Sequence, residues 1–391
     1  MHKKRNALFL PSWFPNKNHS TLGIFVQRHA EAVALFNNVA VLFVSSTEQD
    51  NLFVKEVETE KNIFTVRVYY KKVTGNIPLL SGIQKIYRYL KAYFIGYKEI
   101  ISSFSKPEII HLNVIFPAGI FALWLNIKYK IPVVISEHSS VYMLQDGLYK
   151  GFLMKWVTKT IVGRSKAVIA VSKDLKSWML HHKLYGNYFV VPNVVNTAIF
   201  FPQEKRSFLG EEKKRLVHVS SINDKEKNIS GILRMIHQLK QLRTDFYIDI
   251  IGDSVERPHF EKIADELGLL NKFIFFRGKQ EQEKVAEFLR NADVLIAFSN
   301  YETFGCVLIE AFACGTPVIA TNTGGMPELV NSTNGILVPV GDDEALLNAI
   351  QQVLNNPKNY DRELIAKNAI DNFSYEKVGK EITEIYNKVL S

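Results

Sequence analysis

The stretch Tyr301-Glu302-Thr303-Phe304-Gly305-Cys306-Val307-Leu308-Ile309-Glu310 runs into Ala311-Phe312-Ala313-Cys314-Gly315-Thr316-Pro317-Val318-Ile319-Ala320. It reads as a loop that carries a glutamate to the mouth of a site, then a helix leading away, then a short β-branched strand. A helix delivered onto such a strand is the repeating unit of a parallel α/β sheet. Gly305, near the helix start, has no Cβ, so a ligand can approach the backbone closely. The free N–H groups and positive dipole end of the helix attract an anion such as a phosphate. At 1.5 Å per residue, Glu310 is displaced from Glu302 by roughly 12 Å of axial rise. That span suits a nucleotide-sugar, with Glu302 near sugar hydroxyls, the phosphates over the helix start and Glu310 near the ribose. Two glutamates at this spacing also arise by chance on many helices, so the spacing alone names no ligand.

Outward from this segment the same alternation of short apolar runs and helical patterns fills the chain. Strands are expected at 7–10, 39–43, 63–70, 109–112, 132–136, 167–171 and 189–191, and a second series at 215–219, 246–251, 273–276, 294–297, 317–320 and 335–338. With 391 residues, 47% hydrophobic and 22% charged, the chain has the length and apolar content for two cores. Pro192-Asn193-Val194-Val195-Asn196, Phe201-Pro202 and the polar run 203–215 form the best linker. The expected domains are 1–195 and 196–373, with a terminal helix over 374–391 that Ser374 can cap.

The two cysteines, Cys306 and Cys314, have no metal-ligand cluster around them, which points to a reduced, cytoplasmic protein. The basic start, Met1 to Asn6, runs straight into Ala7-Leu8-Phe9-Leu10, too short for a signal-peptide core. Residues 109–127 carry no formal charge, yet Asn113 and Pro117 break them into a strand and a helix rather than one membrane span. Charge is uneven. Residues 1–195 hold 25 Lys+Arg against 11 Asp+Glu, a net +14, and residues 196–391 hold 23 against 28, a net −5.

Glu302 to Glu310, the Gly-Thr-Pro-Val-Ile-Ala strand entry and Gly324-Gly325-Met326-Pro327-Glu328 together resemble the donor half of retaining glycosyltransferases of family 4. The likeness extends over nearly the whole chain and is strongest from about 217 to 340. It implies the GT-B architecture, two Rossmann-like domains with parallel sheets facing across a cleft, and a terminal helix packed back on the first domain. It also implies that Glu302 acts on the donor sugar, that Phe304, Gly305, Cys306 and Val307 hold phosphate and sugar through backbone groups, and that Glu310 takes the ribose.

Carried over residue by residue, Lys227 in Ser221-Ile222-Asn223-Asp224-Lys225-Glu226-Lys227 matches a diphosphate-binding lysine. Ser221 stands where the family usually has an arginine, so positive charge is missing, to be made up by Lys225, Lys227 or Arg277. Gly23 matches the glycine-bearing loop over the pyrophosphate, with Leu22-Gly23 where a Gly-Gly pair is common. His138, in Ser136-Glu137-His138-Ser139 at a strand's carboxyl end, matches a histidine near the reacting sugar and acceptor; a neutral imidazole there can orient a hydroxyl or share a proton. Arg277, Gly278 and Lys279 fall near the base by resemblance, and Ile251-Gly252-Asp253 ends a neighbouring strand.

No Asp-x-Asp pair, His/Cys cluster, P-loop or Gly-x-Gly fingerprint is present, so the expectation is a metal-independent enzyme without a cofactor, using a nucleotide diphosphate-sugar as substrate. The resulting reading is transfer of a sugar, with retention, to a glycan or lipid-linked acceptor. The rivals are a phosphorylase-like or epimerase-like GT-B class and a non-catalytic nucleotide-sugar binding protein, and nucleic acid is not an expected partner. From Leu79 to Phe104, apolar residues including Leu79, Ile83, Ile86, Leu90, Phe94, Tyr97, Ile101 and Phe104 recur at helical spacing, with Lys85, Arg88, Lys91 and Lys98 on other faces. A second basic segment, Lys150, Lys155, Lys159, Arg164 and Lys166, surrounds Trp156. A helix that turns its apolar stripe onto its own sheet and leaves a solvated basic face would read the same way; the net +14 of this half exceeds what solubility requires, so the further expectation is peripheral docking of the first domain on an anionic inner membrane face.

Overall fold

The computed structural model describes residues 4–74, 78–203, 213–356 and 359–391, so the first three residues and most of the linker run 203–215 lie outside it. In chain order the elements are β1 (Asn6–Pro11), α1 (Ile24–Ala34), β2 (Asn38–Thr47), β3 (Phe53–Glu60), β4 (Ile63–Lys71), α2 (Pro78–Ser103), β5 (Ile109–Asn113), α3 (Gly119–Tyr129), β6 (Val133–Glu137), α4 (Phe152–Arg164), β7 (Ala167–Ala170), α5 (Lys173–His181) and β8 (Tyr188–Val190). There follow β9 (Lys214–Val219), α6 (Asp224–Lys227), α7 (Ile229–Leu242), β10 (Phe246–Ile251), α8 (Arg257–Glu266), β11 (Ile274–Gly278), α9 (Gln282–Asn291), β12 (Val294–Ala297), α10 (Cys306–Ala313), β13 (Val318–Thr321), β14 (Gly335–Val338), α11 (Asp343–Asn355), α12 (Arg362–Phe373) and α13 (Tyr375–Leu390). The chain divides into two compact units, Met1–Val194 with Tyr375–Ser391, and Val195–Ser374.

The first unit holds the sheet β3-β4-β2-β1-β5-β6-β7-β8 and the second β11-β10-β9-β12-β13-β14. The central strands of both read as unbroken apolar runs because helices cover the two faces of a parallel sheet. The expected parallel pattern needs one correction. β3 pairs antiparallel with β4 across Lys61-Asn62, both at positive φ (49° and 63°), as a two-residue hairpin turn requires. All its residues from Lys55 on are exposed. Alternating Lys55, Glu56, Glu58 and Glu60 suit an edge that must not recruit another chain.

The apolar stripe of α2 is split between sheet and solvent. Ile83, Ile86, Phe94 and Ile101 of that stripe are exposed, while its Tyr97, with Ala92, Tyr93 and Ile100 beside it, is buried. Gly96 sets this, since a Cβ there would stand 2.2 Å from Leu42 Cδ1 on β2. α13 joins the first unit's core through Val378, Ile382, Ile385 and Tyr386 beside Val26, Ala30 and Val33 of α1. No described helix is long and apolar enough to cross a membrane.

Strand order positions the sites. From β9 the chain winds outward to β10 and β11, then returns to β12 on β9's other side, so the loops after β9 and β12 diverge and open a crevice at the strands' carboxyl ends. In the first unit the same reversal lies between β1 and β5.

Candidate active site

At the switch point of the second unit, Asn223 caps α6 by accepting from Glu226 N (3.3 Å), which brings Lys227 to the crevice. From the loop after β12, Asn300 N donates to Glu226 O (2.7 Å) and its Nδ2 to the carbonyls of Asp224 (3.2 Å) and Lys225 (3.1 Å). The two loops are thereby locked together. Lys227 Nζ donates to Glu302 Oε2 at 2.6 Å, both half-buried. Burial opposes the lysine's charge, but the attraction and hydrogen bond of Glu302, with Glu226 behind them, outweigh it and hold its pKa above the ordinary value.

The Glu302 loop is held by backbone contact. Gly324, at φ +58°, sits so close that a Cβ would come 1.5 Å from Glu302 O. Phe304 is buried, its ring 6.3 Å from Phe373, so its side chain anchors the turn whose backbone leads into Gly305. Gly305, at φ +94°, precedes α10, which begins without a side-chain cap and with Cys306, Val307 and Glu310 partly exposed. Because the helix starts at Cys306, only about 6 Å of axial rise leads to Glu310, at 1.5 Å per residue. The 12 Å spacing is therefore corrected, Glu302 being in the loop.

Ser221 is exposed at the end of β9. Beneath it, buried His218 donates Nδ1–H to Ile296 O (2.8 Å) and accepts at Nε2 from Ser220 Oγ (2.7 Å); burial first, then Lys227, pull its pKa down to about 4 against the backbone hydrogen bond. Gly252 presses on Ser220 O, where a Cβ would fall at 1.7 Å, and donates its N–H to Gly278 O at 2.9 Å, so Ser221 and Gly278 share one end of the crevice. Arg277 does not join them. Alternation along β11 points its side chain down the sheet face toward α9, where Nε meets Asp249 Oδ1 at 2.6 Å in a cavity of about 290 Å³ also lined by Arg215, Tyr247 and Phe288. Another cation, Arg257, comes close to Gly278, its Nη1 2.8 Å from where a Cβ would stand. Asn300, His218 and Arg257 were not among the residues expected from the sequence.

At the first unit's switch point, Ser12 N donates to Asn113 O (2.9 Å), and its Oγ donates to Val114 O (2.7 Å) and accepts from Ala118 N (3.0 Å). Val114 is a β-branched residue at φ +60°, a costly conformation that this clamp sustains. Gly23, at φ +67°, packs onto Trp13 O, which a Cβ would approach to 2.4 Å. Two residues on, Phe25 lies 4.6 Å from the His138 ring, which brings Gly23's turn and His138 together. His138 Nδ1–H donates to Asn193 Oδ1 (3.1 Å), leaving Nε2 buried and without a partner. Burial, with His29 and His111 adding repulsion, holds its pKa well below 6.5, so the ring is neutral at physiological pH. Glu137 is fully buried yet accepts from Ile115 N (3.0 Å), His138 N (2.8 Å), Ser139 N (2.9 Å) and Tyr142 OH (3.2 Å). Burial still leaves its pKa raised.

Residues 201–371 match the model described as glycosyl transferases group 1, and residues 30–199 that of glycosyltransferase family 4. An uncharacterized glycosyltransferase of Methanocaldococcus jannaschii is 29% identical over 350 residues, 87% of this chain and 93% of that one. Among solved structures, sucrose-phosphate synthase from Thermosynechococcus elongatus superposes with a TM-score of 0.77 at 22% identity over 99% of both chains. Anabaena HepE, solved in complex with UDP and glucose, gives 0.70 at 17% identity over 98% of this chain and 100% of its own.

Proposed function

From the premise that this chain belongs to the family 4 glycosyltransferases of GT-B type, we propose that it moves a sugar from a nucleoside diphosphate-sugar to a hydroxyl of a glycan or lipid-linked acceptor, with retention and without a metal. The observation that carries this reading is the Lys227–Glu302 pair at the second unit's switch point, directly before the uncapped start of α10. An anion and a hydroxyl-rich group are the two partners that such a pair can serve at once. Lys227 and the first turn of α10 stabilise the diphosphate, Glu302 accepts hydrogen bonds from sugar hydroxyls, and Glu310 accepts from the ribose. HepE's complex with UDP and glucose supports a donor of this class.

In the transfer the acceptor oxygen bonds the anomeric carbon from the face that the diphosphate leaves. The electrons of the broken C–O bond depart with the diphosphate, and the acceptor's proton passes to a phosphate oxygen. The second unit contributes charge stabilisation of the leaving group, worth most where water is excluded. His138, being neutral, contributes through Nε2 as a hydrogen-bond acceptor for a hydroxyl rather than as a cation.

The test is a panel of UDP-, GDP- and ADP-sugars with product analysis. Transfer from one donor to a hydroxyl acceptor is expected. Binding without turnover for every donor would assign a binding protein instead, and consumption of free phosphate a phosphorylase-like enzyme.

A further inference from the structure

In the first unit, α2, α3 and α4 lie side by side on one sheet face: Phe94 packs edge-on against Phe121 and Trp124 (5.4 and 4.8 Å), and Gly119 of α3 is 2.7 Å, at its Cβ position, from Ile161 of α4. Each helix follows a parallel strand, so their starts gather at the sheet's carboxyl edge. At the start of α4 the usual burial pattern fails. Thr158, Ile161 and Val162 form its buried stripe, while the opposite face carries Phe152 and Trp156, one turn apart. Phe152 is 84% exposed, Leu153 70%, Leu148 65% and Trp156 57%.

This segment is built to project. Tyr142 and Tyr149 are buried and pack against one another (5.0 Å) and against His182 (6.4 and 4.7 Å), pinning the loop at two points. Between and beyond those pins the apolar side chains point to water. Lys150, Lys155 and Lys159 interleave with them and are exposed, none with a carboxylate partner among the described residues. Asp146, the acidic residue of the loop, accepts from Ser140 Oγ at 2.6 Å. Contiguous exposed aromatic and aliphatic groups rimmed by lysines are a poor surface for water and match the apolar boundary and anionic headgroups of a bilayer.

We propose that residues 144–159 dock this protein on an anionic lipid bilayer, with Leu148, Phe152, Leu153 and Trp156 entering the headgroup boundary and the three lysines engaging lipid phosphates. The inference deepens the reading above by placing the acceptor at a membrane, and it rests on that reading only for the acceptor. It also moves the docking surface from the α2 basic face to α4, since Arg88 is spent on Lys71 O (2.7 Å) and Lys91 on the Tyr87 hydroxyl (3.4 Å).

The experiment is co-sedimentation of the full chain with vesicles of phosphatidylcholine alone or with added phosphatidylglycerol, across a salt series. Wild type should bind the anionic vesicles, weaken with salt and show a blue-shifted emission that Trp156→Phe removes. The triple variant Phe152→Ser/Leu153→Ser/Trp156→Ser should lose binding, and Lys150→Gln/Lys155→Gln/Lys159→Gln should lower the partition coefficient by about tenfold or more. Lys85→Gln/Lys98→Gln should change it far less. No vesicle binding, equal partition into both vesicle types, or a dimer that the triple serine variant converts to monomer overturns the proposal, the last assigning the surface to a second copy. Nucleotide titration on the same variants separates the two readings: vesicle binding without any nucleotide binding would sink the transferase assignment and leave the docking surface standing.

Discussion

The two sheet reversals are built from opposite materials. In the second unit the loops after β9 and β12 meet through a charged pair, Lys227 and Glu302, largely buried but still reached by solvent. In the first, the loops after β1 and β5 meet through the hydroxyl of Ser12 and a strained Val114, and around them stand His29, His111 and His138, all buried and all discharged by burial. The same topology thus yields one crevice that presents charge and one that excludes it. A charge kept near water can be handed to a ligand, whereas a buried neutral network holds shape.

The largest effect expected from this contrast is at Lys227. Lys227→Ala should lower kcat/KM by about 10²–10³-fold, the cost of losing one preorganised stabiliser of a developing anion. Glu302→Gln should act chiefly on turnover, and the double variant should cost less than the two single losses combined, because the partners already share one interaction. Additive losses in steady-state kinetics would show that the pair does not act as a unit.

Acid should separate the units next. A histidine whose folded pKa lies below its unfolded value of about 6.5 binds its proton mainly in the unfolded chain, so stability is complete above pH 6.5 and is lost as pH falls toward the folded value. His29 and His218 are both brought to about 4 by burial, which amounts to roughly 3 kcal/mol each at full protonation. Three such histidines lie in the first unit and His218 in the second, while Glu137, raised by burial, works in the other direction. Hydrogen exchange at pH 5 should therefore show the first unit opening before the second. Loss of protection in the second unit first would refute the assignment.

A smaller change is expected at Glu310, which lies along α10 from the charged pair. Glu310→Gln should weaken nucleoside diphosphate binding by about tenfold, roughly 1.4 kcal/mol, in calorimetric titration. Unchanged affinity would remove the ribose assignment. Smallest of all, chelation should have no effect, because the second crevice carries its own cation. Activity abolished by EDTA and restored by magnesium would contradict that.

The fold was legible where burial is two-sided. Runs such as Val133 to Ser136 or Val294 to Ala297 leave no alternative to a central strand. β3 escaped notice because it has no buried face to write an apolar alternation, and Lys61-Asn62 lacks the glycine of the usual turn signal. The orientation of α2 is hidden in the sequence because both of its faces carry apolar residues; the close approach of Gly96 to Leu42 marks the face that packs on the sheet. At the site, residue type and motif led to Lys227 and Glu302, but nothing local shows that they touch across 75 positions. Arg277 lies at a strand's carboxyl end, yet the period-two alternation of β11 turns its side chain away from that end toward Asp249. Asn300 and Asn193 carry no signal at all, being polar residues in loops until the fold gives them partners.

The Lys227–Glu302 contact also makes the crevice discriminating. A lone anion must displace a carboxylate held at 2.6 Å and offers the freed glutamate nothing in return. A lone sugar offers the glutamate its hydroxyls but leaves the lysine stripped. On the proposed reading, only a molecule carrying both groups at the right separation satisfies the two released partners together, so the pair would work as a coincidence detector, and inorganic phosphate and free hexose should each compete poorly against an intact nucleotide-sugar. If the sugar is transferred as proposed, the remaining diphosphate is again a lone anion, and the returning carboxylate would turn from gatekeeper into the means of its expulsion.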